Sequence, residues 1–294
     1  RSVTLADPTN PLSLETLTDT DTINGRSYTS TFTRSTQTRV VTSPAGRQRT
    51  ELLDVQGRVT ESRVPGLAPT LFQYDTRGRL TAVSQGARSL GIGYDSRNRP
   101  TTLTDSLLRQ TRLEYDDADR VAKQVLPGSR EIRLGYDANS NVASVTPPGR
   151  PAHLFDYTPV DLQSTYTPPD VGGGSAVTTY GWDLDKASTG ESRPDGRATS
   201  FGYDSAGRVS TLTTPEGQTT YSYDPTSGNV TTSTAPNAGL SFSYDGSLLT
   251  GTTWAGSLSG SVSRTFDENL RVASETVSGS TATYGYDDDG LLTR

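Results

Sequence analysis

Short runs of alternating small polar and large apolar residues recur along the chain, each followed by a turn. In residues 219–223, Thr-Thr-Tyr-Ser-Tyr, the rings return at every second position, which is the period of a β-strand. Residues 224–229, Asp-Pro-Thr-Ser-Gly-Asn, are turn formers, and the β-branched run 230–232 resumes a strand. This pattern predicts a β-hairpin, and Pro215-Glu216-Gly217 reads as the short turn that enters it.

The same hairpin pattern returns with a period of about 21 residues, which predicts one small unit repeated in tandem. Its marker is an aromatic residue followed by Asp. The Tyr-Asp copies are Tyr74-Asp75, Tyr94-Asp95, Tyr115-Asp116, Tyr136-Asp137, Tyr203-Asp204, Tyr223-Asp224, Tyr244-Asp245 and Tyr286-Asp287. Other rings replace Tyr in Trp182-Asp183 and Phe266-Asp267, whereas Tyr157-Thr158 keeps only the ring and Leu53-Asp54 only the acid.

A second bulky residue usually stands two positions before the marker ring, as Phe72 does before Tyr74. Residues i and i+2 of a strand share a face, so we expect a ladder of aromatic side chains on one face of the sheet, with cross-strand ring contacts. After the turn, apolar residues often fall at i and i+3, as Leu80 and Val83 do. This spacing predicts a bulge near the end of the second strand, and a bulge in every repeat should coil the sheet.

The predicted fold is therefore all-β, with tandem antiparallel β-hairpin repeats of about 21 residues in a spiralling sheet. We assign residues 41–294 to the array and residues 1–40, which are Thr-rich and lack the pair, to a leading region with possible degenerate repeats. An irregular insertion lies near residues 158–183, and its segment 168–175 has the composition of a flexible loop.

The motif Asp is expected to cap its turn through the backbone. A Gly-Arg pair follows it in several copies, as Gly78-Arg79 and Gly207-Arg208 do, and Gly228 holds the same turn position in another copy. We expect the Arg to pair with an acid of a neighbouring repeat, as a structural element and not as a ligand site.

The composition argues against several classes of function. The chain has no Cys, so disulfides and thiolate sites are impossible, and its net charge of −6 argues against a nucleic-acid footprint. No apolar stretch is long enough to span a bilayer as a helix. The chain starts at Arg1 without Met and stops just inside a fresh repeat, so we expect it to be a piece of a longer polypeptide.

No catalytic, cofactor or metal site is predicted. His153 is the only His, which excludes a multi-His metal site within this chain, and a structural role is favoured over a place in a Ser-His-Asp triad. The acid clusters at residues 116–119 and 287–289 could attract Ca²⁺, but solvated turn acids are the preferred interpretation. Paired carboxylates for glycoside hydrolysis cannot be singled out among 33 acids.

These residues resemble the YD-repeat or RHS-repeat family. Residues 203–209, Tyr-Asp-Ser-Ala-Gly-Arg-Val, and 74–80, Tyr-Asp-Thr-Arg-Gly-Arg-Leu, carry the resemblance, which covers roughly residues 41–294. It implies a sheet that spirals into a hollow shell. Such shells enclose a C-terminal toxin in bacterial RHS and toxin-complex proteins and form part of the adhesion protein in teneurins.

Three functions follow as hypotheses. The first is an encapsulating shell segment of a secreted or cell-surface protein, whose partner is the rest of its own longer chain. The second is an adhesin or carbohydrate-binding array, in which exposed rings bind glycans or proteins. The third is a polysaccharide-degrading enzyme on a right-handed β-helix, which the hairpin turns disfavour because a β-helix needs parallel neighbours.

Overall fold

The computed structural model describes residues 1–170, 172–173 and 176–294. Part of the predicted loop 168–175, namely Val171, Gly174 and Ser175, lies outside the described residues. All regular secondary structure in the described part of the chain is β. No helix that could cross a membrane is found there.

The described residues form 27 strands. In chain order, β1 to β27 span Ser2–Leu5, Leu14–Ile23, Arg26–Thr33, Thr38–Thr42, Gln48–Leu53, Val59–Arg63, Thr70–Tyr74, Leu80–Gln85, Arg88–Tyr94, Pro100–Asp105, Gln110–Tyr115, Val121–Leu126, Arg130–Tyr136, Val142–Thr146, His153–Tyr157, Gln163–Thr167, Thr178–Trp182, Ser188–Ser192, Ala198–Tyr203, Val209–Thr214, Gly217–Tyr223, Val230–Ala235, Ala238–Asp245, Leu248–Gly256, Gly260–Phe266, Val272–Val277 and Ser280–Thr283.

The chain divides into two compact units. The first contains Arg1–Glu131 and Tyr286–Thr293, and the second contains Ile132–Gly285 with Arg294. In the first unit β1 to β12 pair antiparallel, each with the next in sequence, and in the second unit β13 to β27 do the same. This antiparallel pairing contradicts the β-helix hypothesis.

Two kinds of connection alternate in each unit. A motif turn, such as residues 75–79, joins the two strands of one hairpin, and a linker loop, such as residues 64–69, leads to the next hairpin. The irregular insertion predicted near residues 158–183 includes the connection from β16 to β17, which holds a linker-loop position.

The bulge lies at the start of the second strand, so its predicted place near the end of that strand is wrong. Tyr74 pairs with Leu80 and Phe72 with Val83, while the register shifts between Gln73 and Tyr74. The extra residue directly after the turn brings Leu80 and Val83 to the same face, which explains their spacing of three. The shift recurs in the hairpins that follow Leu53, Tyr115, Tyr136, Tyr157, Trp182, Tyr203, Tyr223, Tyr244 and Phe266.

The sheet has very little fully buried core. Among the described residues only Leu53 and Glu51 are buried, at 8% and 6% exposure. On β7, Phe72 and Tyr74 are half-buried on what we call the ring face, whereas Leu71 on the opposite face is 42% exposed. The low hydrophobic content of the chain therefore corresponds to a thin sheet with one better-covered face.

Candidate functional site

The motif turn is built around a carboxylate. In residues 75–79, the amide of Asp75 donates to the carbonyl of Arg79 and the amide of Gly78 to the carbonyl of Asp75, both at 2.9 Å. Asp75 Oδ1 accepts the amides of Arg77 and Arg79 at 2.9 and 3.0 Å. Gly78 has φ +83°, a left-handed conformation that costs most other residues free energy. The carboxylate therefore satisfies the turn amides, as the sequence predicts.

The Arg at the fifth turn position closes the turn from its side chain. Arg79 Nε donates to Asp75 Oδ2 at 2.7 Å, so the two side chains of one turn form an ion pair. The same pairing occurs in Asp54–Arg58, Asp95–Arg99, Asp116–Arg120, Asp204–Arg208 and Asp267–Arg271. The closed turn brings the two side chains together within one repeat, and the expected pairing with an acid of a neighbouring repeat occurs as a second contact at Arg99, which also binds Asp119.

These contacts favour the charged carboxylate. The amide of Arg208 and then its guanidinium donate to Asp204, and together they hold the pKa of that carboxyl below its usual value. The pKa is also lowered in the other turns with this pair, at Asp54, Asp75, Asp95, Asp116 and Asp267.

The motif ring is held by the preceding repeat. The guanidinium carbon of Arg79 lies 4.5 Å from the centre of the Tyr94 ring, and the Tyr94 hydroxyl donates to the Leu80 carbonyl at 2.7 Å. Leu80 directly follows Arg79, so two adjacent residues of one repeat bind both the face and the hydroxyl of the motif ring in the next repeat. We call this pair of contacts the ring clamp.

The ring clamp recurs along both units. An Arg covers the next ring at 4.3–4.6 Å in Arg58–Tyr74, Arg99–Tyr115 and Arg208–Tyr223. The ring also donates to a carbonyl 14–19 residues earlier in Tyr74–Val59, Tyr115–Pro100, Tyr157–Val142, Trp182–Gln163, Tyr203–Ser188 and Tyr223–Val209. Trp182 keeps this bond through Nε1, which explains how an indole can replace the phenol.

The motif rings of these repeats contact guanidinium groups, so the expected cross-strand ring contacts do not join one motif ring to the next here. A second strand separates consecutive first strands, which places them about 10 Å apart, beyond the reach of ring stacking. Stacked rings occur instead within one hairpin, where Tyr166 packs on Phe155 and on His153. His153 Nδ1 lies 2.8 Å from the Tyr166 hydroxyl.

A further link between repeats was missed from sequence. The left-handed fourth turn position is not always Gly, and Asn98 and Asp119 occupy it with φ values of +68° and +63°. Arg79 Nη1 donates to Asn98 Oδ1 at 2.9 Å, so the same guanidinium also reaches the next turn. Asn or Asp at the position where Gly is usual was the available signal.

Several copies keep only part of this geometry. Asp183 caps its turn, but Ala187 replaces the Arg. Asn141 takes the place of Arg beside Asp137. The turn that starts at Asp224 is one residue longer, and its carboxylate binds Ser227 and Thr226.

Two copies near the C-terminal end depart further. Asp245 pairs directly with Leu248 across a two-residue turn, so Tyr244-Asp245 follows a different hairpin geometry. Tyr286 forms an isolated bridge with Leu292. Among the described residues, no group of three or more His, Asp or Glu is placed to hold a metal ion.

Comparison with known proteins agrees with this geometry. The model of the Teneurin YD-shell family matches residues 8–294. A crystal structure of TcdB2-TccC3-TEV is similar with a TM-score of 0.73, at 14% identity over 91% of this chain and 16% of that chain. A Photorhabdus luminescens Tc holotoxin pore is similar with a TM-score of 0.66, at 15% identity over 92% of this chain and 16% of that chain.

A crystal structure of TcdB2-TccC3 gives a TM-score of 0.56 at 12% identity, over 95% of this chain and 22% of that chain. The chain thus spans only 16–22% of the length of these solved chains. No curated protein sequence matches it. The prediction of an all-β array of antiparallel hairpins is confirmed. With a family match over residues 8–294, the chain belongs to the Teneurin YD-shell family.

Proposed function

We propose that this chain is a segment of the wall of an encapsulating shell, within a longer secreted or cell-surface polypeptide that encloses a C-terminal toxin cargo. The observation that supports this most directly is the ring clamp. A wall one sheet thick has little core, so it needs cross-links between successive hairpins, and the clamp supplies one at the junctions that end in Tyr74, Tyr94, Tyr115 and Tyr223. The fold likeness to a Tc holotoxin supports the same proposal by analogy.

The adhesin or carbohydrate-binding alternative has less support. A glycan would need ring faces and hydroxyls that are free to bind it. In Tyr74, Tyr94 and Tyr223 the face lies against a guanidinium, the hydroxyl is bonded to a carbonyl, and the side chain is half-buried.

Intact mass and peptide mapping of the native polypeptide, combined with limited proteolysis, test the proposal. We expect a non-repetitive region after the array that resists protease while the wall is folded and is cut once the wall is denatured. A native product that ends in repeats or in an anchor would overturn it and favour adhesion. A following region that is cleaved at the same rate with the wall folded or unfolded would also overturn it.

A further inference from the structure

One linker loop of the first unit has the backbone of a motif turn. In residues 43–47, the amide of Ser43 donates to the carbonyl of Arg47 and the amide of Gly46 to the carbonyl of Ser43, both at 2.9 Å. Ser stands where a motif turn has Asp. Its Oγ accepts the Arg47 amide at 3.1 Å, which satisfies the turn but brings no charge for the guanidinium.

The hairpin closed by Tyr286 and Leu292, which we call the terminal hairpin, has the acid but lacks the Arg. In residues 287–291, Asp287 Oδ1 accepts the amides of Asp289 and Leu291 at 3.0 and 2.9 Å, as in other motif turns. Leu291 occupies the fifth position, where a motif turn usually has Arg. This turn therefore carries the acid without its cation, whereas the 43–47 turn carries the cation without its acid.

The two turns meet within the first unit. Arg47 Nη2 donates to Asp287 Oδ2 at 2.6 Å, and Arg47 Nη1 donates to Asp289 Oδ2. Asp289 also accepts Ser43 Oγ at 2.7 Å on Oδ2 and the Ala45 amide at 2.9 Å on Oδ1. The interpretation of Asp287 and Asp289 as solvated turn acids is therefore wrong, since their side chains are only 19% and 11% exposed.

We propose that residues 43–47 form a receptor turn whose ligand is an acidic hairpin turn of this same chain. The ligand has Asp at the first turn position, a second acid two residues later, and neither Lys nor Arg at the fourth or fifth position, a condition that residues 183–187 do not meet because Lys186 holds the fourth position. Residues 287–291 meet all three conditions. Selection by charge explains how a loop recognises one turn among many that share its backbone.

Another turn of the chain provides a matched control. In residues 193–197, the amide of Arg193 donates to the carbonyl of Arg197 at 2.8 Å, and the amide of Gly196 donates to the carbonyl of Arg193 at 3.0 Å. Here Asp195 supplies a local acid, whose Oδ1 accepts the Arg197 amide at 3.0 Å. Arg197 therefore has a carboxylate in its own turn, and removing it should leave the terminal hairpin unchanged.

Hydrogen exchange of the whole chain, followed by mass spectrometry, tests the proposal. In Arg47→Ala we expect amides of residues 286–293 to exchange at least about tenfold faster, because the hairpin loses its partner and opens locally. In Arg47→Lys these amides should exchange at a rate between those of the unmodified chain and Arg47→Ala, since an ammonium keeps the charge but loses the planar, two-pronged donor geometry of the guanidinium. Arg197→Ala should match the unmodified chain. Exchange in Arg47→Ala within about twofold of the unmodified chain would overturn the proposal.

A double-mutant cycle separates recognition from a general loss of stability. We combine Arg47→Ala with Asp289→Asn, which keeps the shape of the side chain. If the two groups recognise each other, the double variant should exchange little faster than Arg47→Ala alone. If the increases in exchange rate caused by the two single substitutions multiply in the double variant, the groups act independently and the receptor-turn assignment is wrong.

Discussion

At the residue scale, a single Arg at the fifth turn position binds in three directions. The guanidinium of Arg79 donates through its edge to Asp75 and to Asn98, and presents its face to Tyr94. A planar, delocalised cation can do this because its donors lie in the plane and leave the face free for a ring. Each such Arg therefore stabilises its own turn and the junction to the next hairpin at once.

The ring clamp predicts a measurable contribution from each hydroxyl. Tyr223→Phe removes the donor to the Val209 carbonyl and should lower the free energy of unfolding by about 1 kcal/mol, as for a lost intramolecular hydrogen bond. Tyr28, which is 39% exposed, offers the control Tyr28→Phe, which should have little effect. Urea denaturation compares the two variants. Equal effects of the two substitutions would contradict the clamp.

The face of the guanidinium predicts a second effect. Arg208→Lys keeps the positive charge near Asp204 but loses the planar contact with Tyr223. We expect it to destabilise the chain by about 0.5–1 kcal/mol, whereas Arg150→Lys, at an exposed position, should be neutral. Thermal denaturation of both variants measures the difference, and a neutral Arg208→Lys would mean that charge alone matters at this position.

At the element scale, the hairpin is defined by a five-residue turn followed directly by a bulge. The turn carbonyl and amide bonds require a left-handed residue at the fourth position, which is Gly207 with φ +76° in the hairpin of β19 and β20. The bulge then restores the alternation, so that Val209 and Leu212 lie opposite Tyr203 and Phe201 on the ring face. Turn and bulge together set the register of each hairpin.

Gly207→Val tests this hairpin geometry. A β-branched residue in the left-handed region should cost about 1–2 kcal/mol. Gly239→Ala is the control, because that glycine has no positive φ and a Cβ there would meet nothing within 4 Å. Circular dichroism during thermal unfolding compares the variants. Unchanged stability in Gly207→Val would show that the turn assignment is wrong.

At the scale of the whole molecule, stability is expected to be a sum over many similar local contacts. Within each unit strands contact their sequence neighbours, and turns, bulges and clamps repeat from one hairpin to the next. Arrays of this kind gain stability from the repeat and from its interfaces with nearest neighbours. The contact of Arg47 with Asp287 and Asp289 differs, because it joins residues 240 or more positions apart in one unit.

The repeated carboxylates predict acid sensitivity. The folded-state pKa of Asp204, Asp267 and their counterparts is lowered relative to the unfolded chain. Their contribution to stability is therefore complete above the unfolded value, near pH 4, and is lost as the pH falls through the lower folded value. We expect similar melting temperatures at pH 5 and 7 and a clear drop at pH 3, and the drop should be smaller in Asp204→Asn. A chain equally stable at pH 3 and pH 7 would contradict this.

Much of the array could be read from local patterns. The Tyr-Asp period, the turn formers and the alternation before each ring are properties of a few adjacent residues, and each hairpin closes within such a stretch. The clamp could not be read, because it depends on the register between separate hairpins. The residues around Arg79 do not indicate that the face of its guanidinium contacts the Tyr94 ring. The division of the chain at residue 40 stays a prediction.

The sequence by itself determined the all-β class, the period of the repeat, the turn positions and the capping role expected of Asp75 and its counterparts, because these follow from backbone preferences within one repeat. Only the tertiary structure decided the place of the bulge, the pairing of each Arg within its own turn and the use of its face by the next ring. It also decided that Asp289 meets Arg47. Such contacts depend on which segments are brought together in space, and the residue type at one position does not indicate which distant residue it will contact.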